Sequence, residues 1–195
     1  DIIVEIRIER KGGTAMTAKE CIKGRRSIRK FKDTKIDHAI LEDIIETASY
    51  SPSWKHTQIV RYVAIEGELK DKIGRDCTTA YPGNGTIIQN APMLIAVTVI
   101  KNRCGYERDG SFTTPRGDTW QMFDAGVASQ SFCLAAYEQG IGSVIVGIFD
   151  GDAIAELLQI PADRELVALI PVGYPDESPI APRRKPVTDL LSYIE

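Results

Sequence analysis

Met93-Leu94-Ile95-Ala96-Val97-Thr98-Val99-Ile100 is the longest apolar stretch in the chain. It falls well short of the ~18 residues that a membrane span needs, and it reads as a buried strand. A strand of this kind has to be covered, so the chain must build a core around it. At 195 residues it can do so, most simply as one domain or as one domain with extensions. Its 43% hydrophobic and 26% charged residues are ordinary for a soluble globular protein.

Residues 2–9 set Ile2, Val4, Ile6 and Ile8 against Glu5, Arg7 and Glu9, which predicts a strand with one apolar face. Lys11-Gly12-Gly13 breaks that pattern, so residues 1–16 read as an N-terminal extension or leader. The main domain then spans 17–195, with a C-terminal arm over 175–195. Thr17-Ala18-Lys19-Glu20 is a capping box that opens a short helix ending near Gly24. Asp37 caps a second helix whose stripe is Ile40, Leu41, Ile44, Ile45 and Ala48. Ser51-Pro52-Ser53 ends it, because the residue before proline avoids the helical region.

A strand over 60–66 and a helix over 68–77 follow. Tyr81-Pro82-Gly83-Asn84-Gly85 reads as a loop, and Gln89-Asn90-Ala91-Pro92 leads into the apolar strand. Residues 101–117 are polar and glycine-containing, and a loop that long inside a domain is commonly a lid or a partner contact. The longest helix covers 118–139, with Gly140 just beyond its end. Its small residues Ala125, Gly126, Ala128 and Ser129 fit either a core contact or a subunit contact. A strand over 143–148, a helix over 153–158 capped by Asp150, and a strand over 166–174 complete the domain. Residues 187–194 fit a short helix or an extended arm. Helices and strands mix throughout, so the class is α+β.

Several chemistries are excluded by what is missing. There is no GxSxG, so no nucleophile elbow, and no GxxxxGK[ST]. Gly140-Ile141-Gly142-Ser143 lacks a third glycine and precedes a strand, so it is no dinucleotide fingerprint. Cys21, Cys77, Cys104 and Cys133 are far apart and only two histidines exist, which argues against a metal site. Without an export signal, reduced thiols in a cytoplasmic protein are the simpler reading. A net charge of −3 argues against nonspecific nucleic-acid binding. A chain without its own acid, base or metal signature suits chemistry borrowed from an organic cofactor.

Positive charge is nevertheless concentrated at two places. Arg25-Arg26-Ser27-Ile28-Arg29-Lys30-Phe31 lies near the start and Pro182-Arg183-Arg184-Lys185-Pro186 near the end. Each run by itself is either a solvated face or part of an anion site, and arginine suits the latter through its planar donor fork.

Those two clusters, together with Ser51-Pro52-Ser53-Trp54-Lys55-His56-Thr57-Gln58, Gly140-Ile141-Gly142-Ser143 with Val146-Gly147, and Gly173-Tyr174-Pro175, occur in the order seen in FMN-dependent nitroreductases. The resemblance covers about residues 17–190. It implies an α+β sandwich: a mixed, mainly antiparallel central sheet flanked by helices, in an intertwined homodimer with FMN at the subunit interface. By the same resemblance, Arg25, Arg26 and Ser27 hold the phosphate and ribityl chain, and Arg29 the polar edge of the ring. Arg184, with Arg183 or Lys185, closes on the phosphate. Ser51, Pro52 and Ser53 pack on the ring from the other subunit, with Gln58 close by. The backbone at Val146 and Gly147 lies near N5, the redox atom, so no side chain is expected to be catalytic.

His56 stands where the family often has asparagine, near the N3–O4 edge of the ring, unless it simply points to solvent. Loop 101–117, with Tyr106 and Phe112, corresponds to the substrate-variable part of the family. The implied activity is a ping-pong transfer of electrons from NAD(P)H to nitroaromatic, quinone or related small-molecule acceptors. A dehalogenase-like or flavin-modifying enzyme of the same fold, and a non-catalytic flavin-binding redox sensor, are the alternatives.

Overall fold

The computed structural model describes residues 16–194. The strand expected over 2–9 lies outside them. The apolar run is β2 (Met93–Ile100), with every residue buried. It sits inside a four-stranded sheet of order β1-β2-β4-β3 among the described residues. Its partners are β1 (Val60–Ile65) and β4 (Arg164–Gly173), while the short β3 (Gly142–Ser143) forms the far edge. These ladders are antiparallel, and one parallel bridge, Ser27 to Ser143, makes the sheet mixed.

Both faces of β2 are covered, which explains why its sequence does not alternate. Met93, Ile95 and Val97 pack with Leu41 and Ile44 of α2 (His38–Ser49) and with Phe132 and Ala136 of α5 (Thr119–Glu138). Leu94 and Ala96 point the other way. They pack with Ile73 of α3 (Gly67–Asp76), Ile88 of α4 (Pro82–Asn90) and Ile154 of α6 (Gly151–Leu157). The result is a sheet between two helical layers.

The helix boundaries follow their caps. The Thr17 hydroxyl accepts from the Glu20 amide at 3.2 Å, and the Glu20 carboxylate accepts from the Thr17 amide at 2.8 Å, opening α1 (Ala18–Gly24). Asp37 accepts from the Ala39 amide at 2.9 Å. The long α5 stops at Gly140, whose φ of 77° suits glycine. The Ile141 amide donates to Ala136 O at 2.8 Å and the Gly140 amide to Tyr137 O at 3.0 Å, a Schellman closure. Ala125, Ala128 and Ser129 of α5 are buried in the chain's own core, whereas Gly126 is exposed.

Two expectations are corrected. Residues 81–85 do not form a loop, because α4 begins at Pro82, where proline is preorganised for a first helical turn. Gly85 is needed there for a close crossing: a Cβ would collide with Gly74 O and Thr78 Oγ1 of the neighbouring helix end. Among the described residues the strand expected over 143–148 is regular at Gly142–Ser143 and otherwise pairs through a bridge from Val146 to Leu169, and Ile145 and Ile148 are exposed. Loop 101–117 is irregular apart from a bridge between Tyr106 and Phe112. The tail carries one 3₁₀ turn, Val187–Asp189, and residues 180–194 are exposed. Among the described residues no helix is long and apolar enough to cross a membrane.

Candidate functional site

The first arginine cluster is fixed by its backbone. Arg25 caps α1, its amide donating to Cys21 O at 3.0 Å. Ser27 bridges Ser143, and the Ile28 amide donates to Ser143 O at 3.0 Å, so the segment docks on the β3 edge of the sheet. Ile28 is buried with Phe31 and Ala91. The Glu177 carboxylate accepts from the backbone amides of both Arg29 and Lys30. The Asp176 amide returns a bond to Lys30 O at 3.0 Å.

Among the described residues the guanidinium hydrogen bonds of Arg26 and Arg29 go to backbone carbonyl oxygens. Arg26 donates to Lys23 O at 2.7 Å and Arg25 O at 2.8 Å, and Arg29 donates to Ser27 O at 3.4 Å. Among the described residues none of Arg25, Arg26 and Arg29 forms an ion pair with a carboxylate. The buried Cys133 thiol on α5 is pushed up by burial, with Ser143 and the positive Arg25 pulling against that shift. Beyond β3 the chain continues to Val146, which exchanges backbone bonds of 2.8 and 3.0 Å with Leu169. Gly147 follows, exposed, with open space where a Cβ would be. The structure thus brings Arg25, Arg26, Ser27, Arg29, Val146 and Gly147 to one sheet edge.

The second group is the turn after α2. The Ser51 hydroxyl donates to Ala48 O at 2.6 Å, which closes the helix. The Gln58 amide donates to the Ser53 hydroxyl at 3.0 Å, tying the loop across itself. Between them lies a 3₁₀ turn, Trp54–His56. Lys55, His56 and Gln58 all have positive φ, at 43°, 56° and 47°. Three non-glycine residues in that region within four positions mark a strained loop. The His56 ring nitrogen Nε2 lies 2.9 Å from the Gln58 side-chain amide.

Ser51, Pro52, Ser53 and Gln58 line a cavity of about 330 Å³ together with Tyr62, Arg61 and Asp124. Ser51 and Pro52 also border a groove shared with Cys21 and Ile22 of α1. Within one chain no hydrogen bond or ion pair among the described residues joins the two groups. Arg183, Arg184 and Lys185 stand apart from both in the exposed tail, where Arg184 donates to Pro182 O at 3.4 Å.

Sequence reasoning missed Asp124 and Glu177. Glu177 carries no periodic signal in an irregular tail. Asp124 did leave one: it is the charged residue on the face of α5 that buries Gln121, Ala125 and Ala128. It is 4% exposed, and its Oδ2 accepts from the Trp54 amide at 2.9 Å and from the Cys104 thiol at 3.2 Å. Burial first, and this contact second, push the Cys104 thiol up to about 12. At the surface Lys55 pairs with Glu107 at 2.8 Å, holding the Glu107 carboxyl below its usual range.

A family model for the Nitroreductase family matches residues 22–85 and 79–174, which span both groups. The chain belongs to the nitroreductase family. It is 30% identical over 169 residues to a Methanothermobacter thermautotrophicus protein provisionally named NADH dehydrogenase/NAD(P)H nitroreductase, covering 84% of this chain and 80% of that one. The solved structure of an FMN-dependent nitroreductase from Clostridium difficile R20291 matches with a TM-score of 0.68 and 27% identity, covering 84% of this chain and 90% of that one. The iodotyrosine deiodinase of Daphnia pulex is 26% identical over 196 residues, covering 88% of this chain and 64% of that one. The resemblance in the sequence thus holds, and this nitroreductase-family chain is an oxidoreductase.

Proposed function

We propose that the chain is an FMN-dependent oxidoreductase that passes electrons from NAD(P)H to nitroaromatic, quinone or related acceptors in a ping-pong cycle, and that it works as a homodimer. The observation that carries this reading is the arginine segment. Its backbone is pinned to Ser143 and Glu177, while its guanidinium groups meet no carboxylate among the described residues. That donor set suits a phosphate, and the 330 Å³ cavity beside Ser51–Ser53 offers an apolar and polar wall for part of a ring.

When bound, FMN supplies the electron-transfer chemistry itself. This chain's residues bind and orient. Arg25, Arg26 and Ser27 would hold the phosphate and ribityl chain, with Arg183, Arg184 or Lys185 closing over the phosphate from the tail. Arg29 would meet the polar edge of the ring, where positive charge favours the electron-rich reduced form. Ser51, Pro52 and Ser53 would pack against the ring from the second subunit, which fits their separation from the arginine segment within one chain. His56 and Gln58 would offer hydrogen bonds at the ring edge, and the exposed Gly147, beside the buried Val146, would leave the reacting face uncluttered.

The test is spectroscopic. Purified protein should be yellow, bleach with NAD(P)H under anaerobic conditions, and recover colour with a nitroaromatic or a quinone. Colour that NAD(P)H fails to bleach would instead indicate a flavin-binding sensor. A second reading, reductive removal of halide from an aromatic, is favoured by the likeness to the Daphnia pulex deiodinase. Recovery with a halogenated phenol and release of halide, without recovery by nitroaromatics, would establish that reading in place of the first.

A further inference from the structure

We infer that Asp124 is a positioning residue that holds loops 51–58 and 101–117 as one unit and so sets which acceptors the pocket takes; the acceptor part rests on the oxidoreductase reading above. A carboxylate on a buried helix face is costly unless hydrogen bonds compensate it. At Asp124 both compensating donors come from loops. The Trp54 amide belongs to the strained turn, and the Cys104 thiol belongs to loop 101–117. Both reach the same oxygen, Oδ2, so the two loops are fixed against one atom of α5. Cys104 is fully buried and keeps its proton at any working pH, so it is a constant donor.

The neighbouring contacts repeat the theme. One turn earlier on α5, Gln121 accepts from the Asn102 amide at 2.9 Å. Trp54 packs on Trp120 at 4.8 Å between ring centroids, and Lys55 pairs with Glu107 outside. The turn at 54–58 has an unfavourable backbone and persists only because its surroundings over-determine it. Asp124 is the buried member of that support, and it also lines the cavity. A shift of loop 101–117 is therefore passed to the wall formed by Ser53 and Gln58.

The test uses Asp124→Ala, Asp124→Asn and Cys104→Ala in the full-length protein as purified. Hydrogen exchange is followed by mass spectrometry over 51–58 and 101–117. The ratio of kcat/KM for a compact quinone to that for a bulky nitroaromatic is measured on the same preparations. Asp124→Ala should raise exchange in both segments about ten-fold or more and move the ratio roughly three-fold or more. That ratio cancels folded fraction and flavin loading, so a merely structural role leaves it still.

Asp124→Asn keeps an acceptor oxygen and should bring both readouts back near wild type. Cys104→Ala should loosen 101–117, leave 51–58 protected and move the ratio. Loosening of only one loop by Asp124→Ala, an unmoved ratio, or failure of Asp124→Asn to rescue would overturn the inference. If Asp124→Ala does not fold, Cys104→Ala decides, and wild-type exchange with a wild-type ratio overturns it. A wild-type protein that binds no FMN defeats the oxidoreductase reading instead, and the exchange measurements still decide the link between the loops.

Discussion

Gly142 backs directly onto the Ile28 side chain. A Cβ at 142 would stand 2.8 Å from Ile28 Cγ1, 2.9 Å from its Cβ and 3.0 Å from its Cγ2. No rotamer of Ile28 relieves all three, because its branch point is itself in contact. Ile28 is where the arginine segment docks on β3, so Gly142→Ala has to push that segment outward. The expected cost is about 1–3 kcal/mol of stability, the range for overpacking. FMN affinity should fall as well, although neither Gly142 nor its new methyl touches the cofactor in the proposed arrangement. Thermal unfolding of apoprotein and fluorescence titration with FMN would measure the two effects. An affinity unchanged by Gly142→Ala would mean that the docking of Ile28 does not place the arginines.

Alkaline pH should destabilise the fold through Cys104. Its folded pKa lies near 12 against an ordinary value of 9.0. Its contribution to stability is complete below about pH 9. It is lost as pH rises toward 12, because the unfolded thiol ionises first and the unfolded state then binds fewer protons. Tyr62, raised from 10.0 to about 12 by burial, adds to this only above about pH 10. Urea unfolding between about pH 8.5 and 10 should therefore show a fall in wild type that is smaller in Cys104→Ala. Parallel curves for the two proteins would contradict the assignment.

Much of this fold was legible because caps and apolar runs report local causes. Thr17-Glu20, Asp37 and Asp150 each open a helix, and Gly140 closes one, where their chemistry says they should. The helix at 82–90 was hidden because Gly83 and Gly85 read as turn residues. Gly85 is there for the crossing with Gly74, a tertiary demand that no local pattern encodes. The candidate site was legible as an ordered set of short motifs resembling a family, and the docking of Ser27 on Ser143 brings two of those motifs together. What escaped was the support beneath it. Asp124 and Cys104 are 20 positions apart, and their contact exists only once α5 folds back against loop 101–117.

An exposed apolar surface on α5 predicts the homodimer. Phe123 is 61% exposed and Met122 42%, on either side of the exposed Gly126, and the tail leaves Leu190, Tyr193 and Ile194 exposed as well. Large exposed apolar residues in such a group mark an interaction surface, and a second copy of the chain is the expected partner. Light scattering should give about twice the 21.5 kDa chain mass for the wild type. Phe123→Glu should lower it toward the single-chain value and release FMN with it. A wild-type monomer that retains FMN would refute the shared site.

Arg25→Ala should weaken FMN binding by about 1.5–3 kcal/mol, the range for hydrogen bonds to charged groups. That corresponds to roughly ten- to hundred-fold, or somewhat more, in dissociation constant. Arg25 sits at the end of α1, its backbone fixed by Cys21, so the substitution removes the side chain without releasing the segment. Ser27 and Ile28 remain docked on Ser143, and Arg26 keeps its bonds to backbone carbonyls. The loss should therefore appear in cofactor affinity and not in thermal stability of the apoprotein. Arg75→Ala is the control: its guanidinium pairs with Glu68 on the exposed face of α3. Raising salt should narrow the gap between Arg25→Ala and wild type, because screening weakens a contact between a phosphate and a half-buried guanidinium that solvent still reaches. Equal, small effects from Arg25→Ala and Arg75→Ala would mean that the arginine segment is a solvated surface, and the phosphate would have to bind elsewhere.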